Sequence, residues 1–252
     1  NIKLKKIIKI GVMRKSYSKI LFLSIYVLVL ILAAYLFFST FTINEIKSLE
    51  FLVTLGRSFD QFTQDYYPLK LLTVLIICFF WAFFLGFNSP ITIFSGMILG
   101  TYSGAIISVI GLTLGSGALY FFAQYFYREN ISRLFNKKYQ NIRYLFHNNE
   151  LVFFIFYRLF VGIPFGLSNL LAILFNARIS NFLFGTAIGI LPSLFIWASI
   201  GSGFDKISIE NDGVPGFLDV IRSEEVRVPL IIFVIFIALV YVFKKNMRRI
   251  KS

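Results

Sequence analysis

The sequence predicts an all-α polytopic membrane protein with about four full transmembrane helices plus two re-entrant broken-helix hairpins. Three observations point to it. The 252-residue chain is 58% hydrophobic and only 15% charged, with a mean hydropathy of +0.78, too little charge for a soluble domain. Residues 71–127 carry no Lys, Arg, Asp or Glu, and an uncharged run of that length belongs in a bilayer. The same run contains Asn88-Ser89-Pro90 and a series of glycines, so backbone is being broken at membrane depth, where only a pathway or a protein interior tolerates it.

Charge and chemistry narrow the class further. The net charge of +13 sits in clusters outside the apolar runs, where it orients loops and meets anionic headgroups rather than nucleic acid. The single Cys78 lies in an apolar segment and the single His147 in a polar loop, so neither a disulfide framework nor a His/Cys metal site can be built. No cofactor is expected, and no cluster of His, Asp, Glu or Cys could organise covalent chemistry.

The elements follow in order. Residues 1–19 form a basic segment read as a cytoplasmic N-terminus, and 20–38 an apolar run long enough to span. Residues 39–70 hold Glu45, Glu50, Asp60 and Asp65 among spaced apolar positions, the pattern of an external amphipathic segment. The membrane domain then runs over 71–204. Within it the loop 128–150 is basic and reads as cytoplasmic, while 205–227 is acidic and reads as external. A last apolar run, 228–243, leads to a basic cytoplasmic tail at 244–252.

These loop sides impose parity. Residues 71–127 amount to roughly 85 Å of continuous helix, yet must cross a core about 30 Å thick an odd number of times. One crossing falls before residue 88, so about 88–127 must enter and return on one side. The same reasoning leaves about 151–176 as a second interrupted element. Paired interruptions in two halves are the sequence mark of a transport site.

Each interruption has its own chemistry. Asn88 or Ser89 can cap a helix with Pro90 in its first turn, where the missing N–H costs nothing. A helix starting inside a membrane points free N–H groups at its surroundings and favours an anion such as phosphate. Gly96, Gly100 and Gly104 follow at four-residue spacing, a stripe that lets another helix approach closely; packing and substrate handling are both open to it. In the second interruption Arg158 is the only charge between Glu150 and Arg178, and an intramembrane arginine marks a site unless it snorkels to the surface. Pro164, flanked by Gly162 and Gly166, breaks that helix, and Asn169 adds hydrogen-bonding capacity beyond the break. Arg178 reads as an interfacial anchor.

Pro90 with its glycine stripe, then Arg158-Leu159 to Pro164-Phe165 and Asn169, then Phe184-Gly185-Thr186 and Gly189-Ile190-Leu191-Pro192 together resemble the VTT-domain or DedA superfamily. The likeness is greatest to the branch of SNARE-associated Golgi proteins and their bacterial relatives, and covers roughly Tyr67 to Phe204. It implies two opposed re-entrant hairpins and movement of lipids across a bilayer: phospholipid scrambling in animal members, recycling of polyprenyl phosphate in bacterial ones. Three departures stand out. Gln124, four residues after Tyr120, replaces a basic residue common in relatives; Leu170-Leu171-Ala172-Ile173 lacks a usual glycine; and the first broken helix has none of the acidic residues that some bacterial relatives use. With no carboxylate there to titrate, downhill scrambling suits this sequence better than proton-coupled export.

The expectation is therefore a non-enzymatic lipid translocase in a bacterial inner membrane, with membrane lipids as partners and a possible homo-oligomer. Arg158 would grip phosphate through its planar fork, Asn169 and Asn88 to Pro90 would add hydrogen bonds, and Gly189 and Pro192 would serve packing or hinge motion. Two other classes remain open: an ion- or solute-coupled secondary transporter of similar fold, and a non-transporting membrane scaffold.

Overall fold

A computed structural model describes residues 66–84, 88–135, 149–159, 165–210 and 217–235, with scattered positions between 21 and 63. The described residues are helical apart from short turns, with no strand among them. The chain falls into two compact units, Asn1–Ser48 and Leu49–Ser252. In the first, the described positions between 21 and 39 are helical, and large apolar side chains such as Leu28 and Ile31 are exposed. The described residues of the second unit include the helices α1 Tyr67–Phe84, α2 Ser89–Phe135, α3 Glu150–Leu159, α4 Phe165–Leu174, α5 Ile179–Glu210 and α6 Phe217–Arg222. Residues 224–235 continue as a further helix.

Among the described residues, three helical segments are long and apolar enough to cross a membrane: Tyr67–Phe84, Ser89–Tyr125 and Ile179–Ile207. The middle one is not a single rod. Gly100 within α2 has φ 77° and ψ 173°, a region open only to glycine, and there the chain doubles back. A Cβ on Gly104 would meet the Ser95 carbonyl oxygen at 2.7 Å and Gly96 Cα at 2.8 Å, so the two limbs lie against one another. The short limb, residues 89–99, is about 16 Å long and cannot cross a bilayer alone.

The long limb of α2 runs parallel to α1. Tyr67 Oη bonds Ser103 Oγ at 2.8 Å near one end, and Phe83 meets Phe122 edge to face at 5.6 Å near the other. Thus the chain leaves the C-terminal end of α1, climbs to the level of its first turn at Gly100, and returns beside it. The chain thus reverses direction once within 88–127. Its turning point is Gly100, and Gly96 and Gly104 face each other across it instead of forming one continuous stripe. Gly96 packs outward as well, against the Ala198 backbone of α5.

The second half repeats this plan. In each half a glycine pair, four residues apart on the last limb, packs against a side-chain Cβ and, three residues earlier, a carbonyl oxygen of the first limb. Gly111 faces Cys78 Cβ and Leu75 O, and Gly115 faces Ala82 Cβ and Phe79 O; Gly185 faces Phe154 Cβ and Leu151 O, and Gly189 faces Arg158 Cβ and Ile155 O. By this correspondence α3, α4 and α5 match α1 and the two limbs of α2, and Ala82 occupies the place of Arg158. The charge is present in one half alone. The halves pack with their long limbs antiparallel: Tyr120 stacks on Phe182 at 5.6 Å, and a Cβ on Gly117 would meet the Leu183 side chain at 2.9 Å.

Two helices run past boundaries expected from the sequence. Residues 67–70, assigned to the external segment, open α1, because Pro68 in a first turn costs no hydrogen bond. Residues 205–210, assigned to the acidic loop, extend α5, and 217–222 form α6; charged residues at a helix end remain helical once they leave the apolar core. Residues 1–19, Gly162, Pro164 and 236–252 lie outside the described residues.

Candidate functional site

The site forms where the second half folds back on itself. Arg158 sits in the last turn of α3 and is only 8% exposed. Across the break, α4 begins at Phe165 and brings its first turn under the guanidinium. Nη1 donates to the Phe165 carbonyl at 3.3 Å and to Ser168 Oγ; Nη2 donates to Asn169 Oδ1 at 2.5 Å and to Thr186 Oγ1 of α5 at 3.3 Å. Ser168 in turn donates to the Phe165 carbonyl at 2.6 Å. The Phe165 ring lies 4.4 Å below the guanidinium carbon, with Phe182 at 5.8 Å, positions in which ring faces attract a cation.

Every one of these acceptors is neutral. The nearest acid along the chain, Glu150, lies about 12 Å away along α3 and is engaged elsewhere: its Oε2 accepts from the Arg178 backbone N–H at 3.0 Å and from Asn181 Nδ2 at 2.8 Å. There it caps the start of α5, where a carboxylate meets the positive end of a helix. Two donors of the Arg158 cluster, Arg158 Nε and Asn169 Nδ2, are buried without a hydrogen-bond partner. A buried guanidinium without a counter-charge costs several kcal/mol, and such a cluster of donors is suited to an anion.

The remaining polar contacts hold the frame. Tyr120 Oη donates to the Ala177 carbonyl at 2.5 Å, and Gln124 Nε2 donates to Tyr120 Oη at 2.6 Å and to Asn176 Oδ1 at 2.9 Å. Asn176 ends α4 with φ 52°, and the Ala177 N–H to Ala172 O and Asn176 N–H to Ile173 O bonds close a Schellman cap. Gln124, the departure from a basic residue, thus ties the long limb of α2 to the elbow between α4 and α5.

Of the residues the sequence singled out, the structure brings Arg158 and Asn169 together, with Gly189 so close that an added Cβ would stand 2.6 Å from Arg158 Cβ. Gly166 lies in the first turn of α4, and Pro192 is inside α5. Asn88, Ser89 and Pro90 open α2 as the cap rule expects: the Thr92 N–H and Oγ1 both bond the Asn88 carbonyl, at 3.2 and 2.7 Å. The described hydrogen bonds of that helix start are its own and do not join it to Arg158. Sequence reasoning missed Thr186 and the two rings, Phe165 and Phe182, as partners of the charge.

The fold and site define an integral membrane protein, helical over its described residues: two repeats of a broken hairpin, the second holding a buried, donor-rich guanidinium. Residues 87–203 match the family model of the VTT domain. The chain is similar to a Transmembrane protein 41 homolog of Caenorhabditis elegans, 23% identical over 64% of this chain and 68% of that protein, and to one of Dictyostelium discoideum, 27% identical over 61% of this chain and 47% of that protein. The chain thus spans about half the length of the second. No solved structure matches. These likenesses place a VTT domain over residues 87–203 of the chain.

Proposed function

We propose that this protein moves phosphate-bearing lipids, phospholipid or polyprenyl phosphate, across a bilayer by downhill scrambling and without covalent chemistry. One observation carries the reading: among the described residues Arg158 is buried with neutral partners only, beside the unpaired Nε and Asn169 Nδ2. A headgroup phosphate provides the missing negative charge and acceptor oxygens, which the planar fork can grip in pairs, while acyl tails remain in lipid. The broken short limbs, too short to span, are elements that can shift to open a path. The charge pattern of the loops supports cytoplasmic N- and C-termini, and we place the protein in a bacterial inner membrane.

Reconstitution into liposomes tests the reading. Labelled phospholipid and labelled polyprenyl phosphate are expected to exchange between leaflets faster than in protein-free vesicles, without dissipating an ion gradient. Ion or solute flux that outruns lipid movement would instead make it a secondary transporter, and no flux of either kind would leave a scaffold.

A further inference from the structure

We propose that Thr113 and Ser116 of α2 complete the anion site around Arg158, so that a lipid headgroup phosphate is held between the two halves of the fold. The assignment deepens the translocase reading and rests on it. Besides Tyr157 Oη, four buried polar groups among the described residues lack a hydrogen-bond partner: Thr113 Oγ1, Ser116 Oγ, Arg158 Nε and Asn169 Nδ2. Their residues are 8%, 0%, 8% and 0% exposed. Ser and Thr inside helices usually bond the carbonyl four residues back, as Thr92 and Ser95 do here. Thr113 and Ser116 leave that bond unmade, and a buried hydroxyl without a partner carries a desolvation cost.

Their place follows from the packing. Thr113, Ser116, Tyr120 and Gln124 recur at i, i+3, i+7 and i+11, one face of the helix. Tyr120 and Gln124 fix that face toward the α4–α5 elbow through Ala177 and Asn176. Because α2 and α5 run antiparallel, with Tyr120 against Phe182 and Gly117 against Leu183, one turn back on α2 lies opposite one turn forward on α5. Those turns hold Ser116 and Thr186, and Thr186 is bonded to Arg158. Leu112, next to Thr113, belongs to the same buried cluster as Phe165 and Ile190. The combined set is one guanidinium N–H, one amide N–H and two hydroxyls, with no carboxylate. Donors without an acid to repel the ligand fit a tetrahedral oxyanion.

The test uses the full chain in detergent with dioctanoyl phosphatidic acid as probe and dioctanoylglycerol as its phosphate-free control. Wild type is expected to bind the first and not the second. Thr113→Val and Ser116→Ala are each expected to weaken binding about tenfold, the loss of one hydrogen bond to a charged group, with the unfolding temperature unchanged or raised. Thr113→Ser, which keeps the hydroxyl, is expected to bind as wild type and guards against a merely misfolded valine variant. Wild type that does not discriminate the two lipids, hydroxyl-free variants that bind normally, or Thr113→Ser failing as Thr113→Val does would each overturn the proposal. Inorganic phosphate bound as tightly as the lipid would make the ligand a free anion and overturn the headgroup assignment. Leaflet exchange measured on the same preparations separates the two readings. Discriminating binding without exchange removes the translocase and keeps the site, whereas exchange with normal binding by both hydroxyl-free variants removes the site and keeps the translocase.

Discussion

Gly189 of α5 lies directly against Arg158 of α3: a Cβ added to the glycine would stand 2.6 Å from the arginine Cβ and 2.9 Å from the Ile155 carbonyl oxygen. The backbone contact that seats the guanidinium against Thr186 therefore depends on a missing side chain. Gly189→Ala is expected to push α3 and α5 apart and cost about 1–3 kcal/mol through overpacking, and to slow lipid exchange through the displaced arginine. Thermal unfolding in detergent and exchange in liposomes check both parts; Gly189→Ala with wild-type stability would mean the helices part easily.

The two glycines of the first hairpin fail for different reasons. Gly100 has open space around its Cβ position but φ 77°, so Gly100→Ala is expected to cost about 1–3 kcal/mol in backbone strain alone. At Gly104 the added methyl meets backbone, Ser95 O and Gly96 Cα, which cannot rotate away. Gly104→Ala is expected to separate the limbs and expose the buried Cys78, which lies 3.5 Å from Ser95 Oγ, to a thiol reagent. Gly100→Ala is expected to leave Cys78 shielded. Equal labelling of the two variants contradicts this division.

Asn176 holds two roles that substitution separates. Asn176→Gly keeps the left-handed cap and loses only the Gln124 acceptor, whereas Asn176→Ala loses both. The alanine variant is expected to unfold at lower temperature than the glycine one, by strain of roughly 1–2 kcal/mol. If the order is reversed, the tie to Gln124 outweighs the cap.

Within the acidic segment, Lys206 near the end of α5 bonds Glu225 at 2.6 Å, and that hydrogen bond holds the Glu225 carboxyl below its ordinary value, helped by its own backbone N–H against a smaller effect of burial. A carboxylate depressed in the folded state stabilises above its unfolded pKa, and the contribution is lost as pH falls through the lower folded value. The difference in unfolding temperature between wild type and Glu225→Gln is thus expected to be full above the ordinary glutamate value, about pH 4.3, to shrink below it, and to vanish once pH has passed the lower folded value. A difference that persists in strong acid would show that the pair is not its source.

Much of the fold was legible because the breaks are written in residue types with few other uses. Asn88-Ser89-Pro90 signals a helix start, and the α2 cap obeys it; Arg158 and Asn169 lie eleven residues apart across a Gly-Pro-Gly break, close enough that folding back alone joins them. The turn at Gly100 was not legible. Gly96, Gly100 and Gly104 have identical local chemistry, and only tertiary packing decides which one takes a positive φ. Thr186 and Phe182 were hidden for the same reason, since their distance from Arg158 is set by the seat of Gly185 and Gly189 on α3. The helix start at Asn88 reads as a second anion donor; its described bonds, from Thr92 to the Asn88 carbonyl, do not join it to Arg158.

The central claim is that a phosphate engages the Arg158 guanidinium as lipid passes. The most direct measurement is leaflet exchange in liposomes for a phosphate-bearing lipid and a phosphate-free neutral lipid, side by side, in wild type, Arg158→Lys and Arg158→Gln. Wild type is expected to prefer the phosphate-bearing lipid. Arg158→Lys, which keeps the charge but loses the fork, should fall to an intermediate rate, and Arg158→Gln should erase the preference. Equal exchange of both lipids by wild type, or an undiminished preference in Arg158→Gln, would contradict the account.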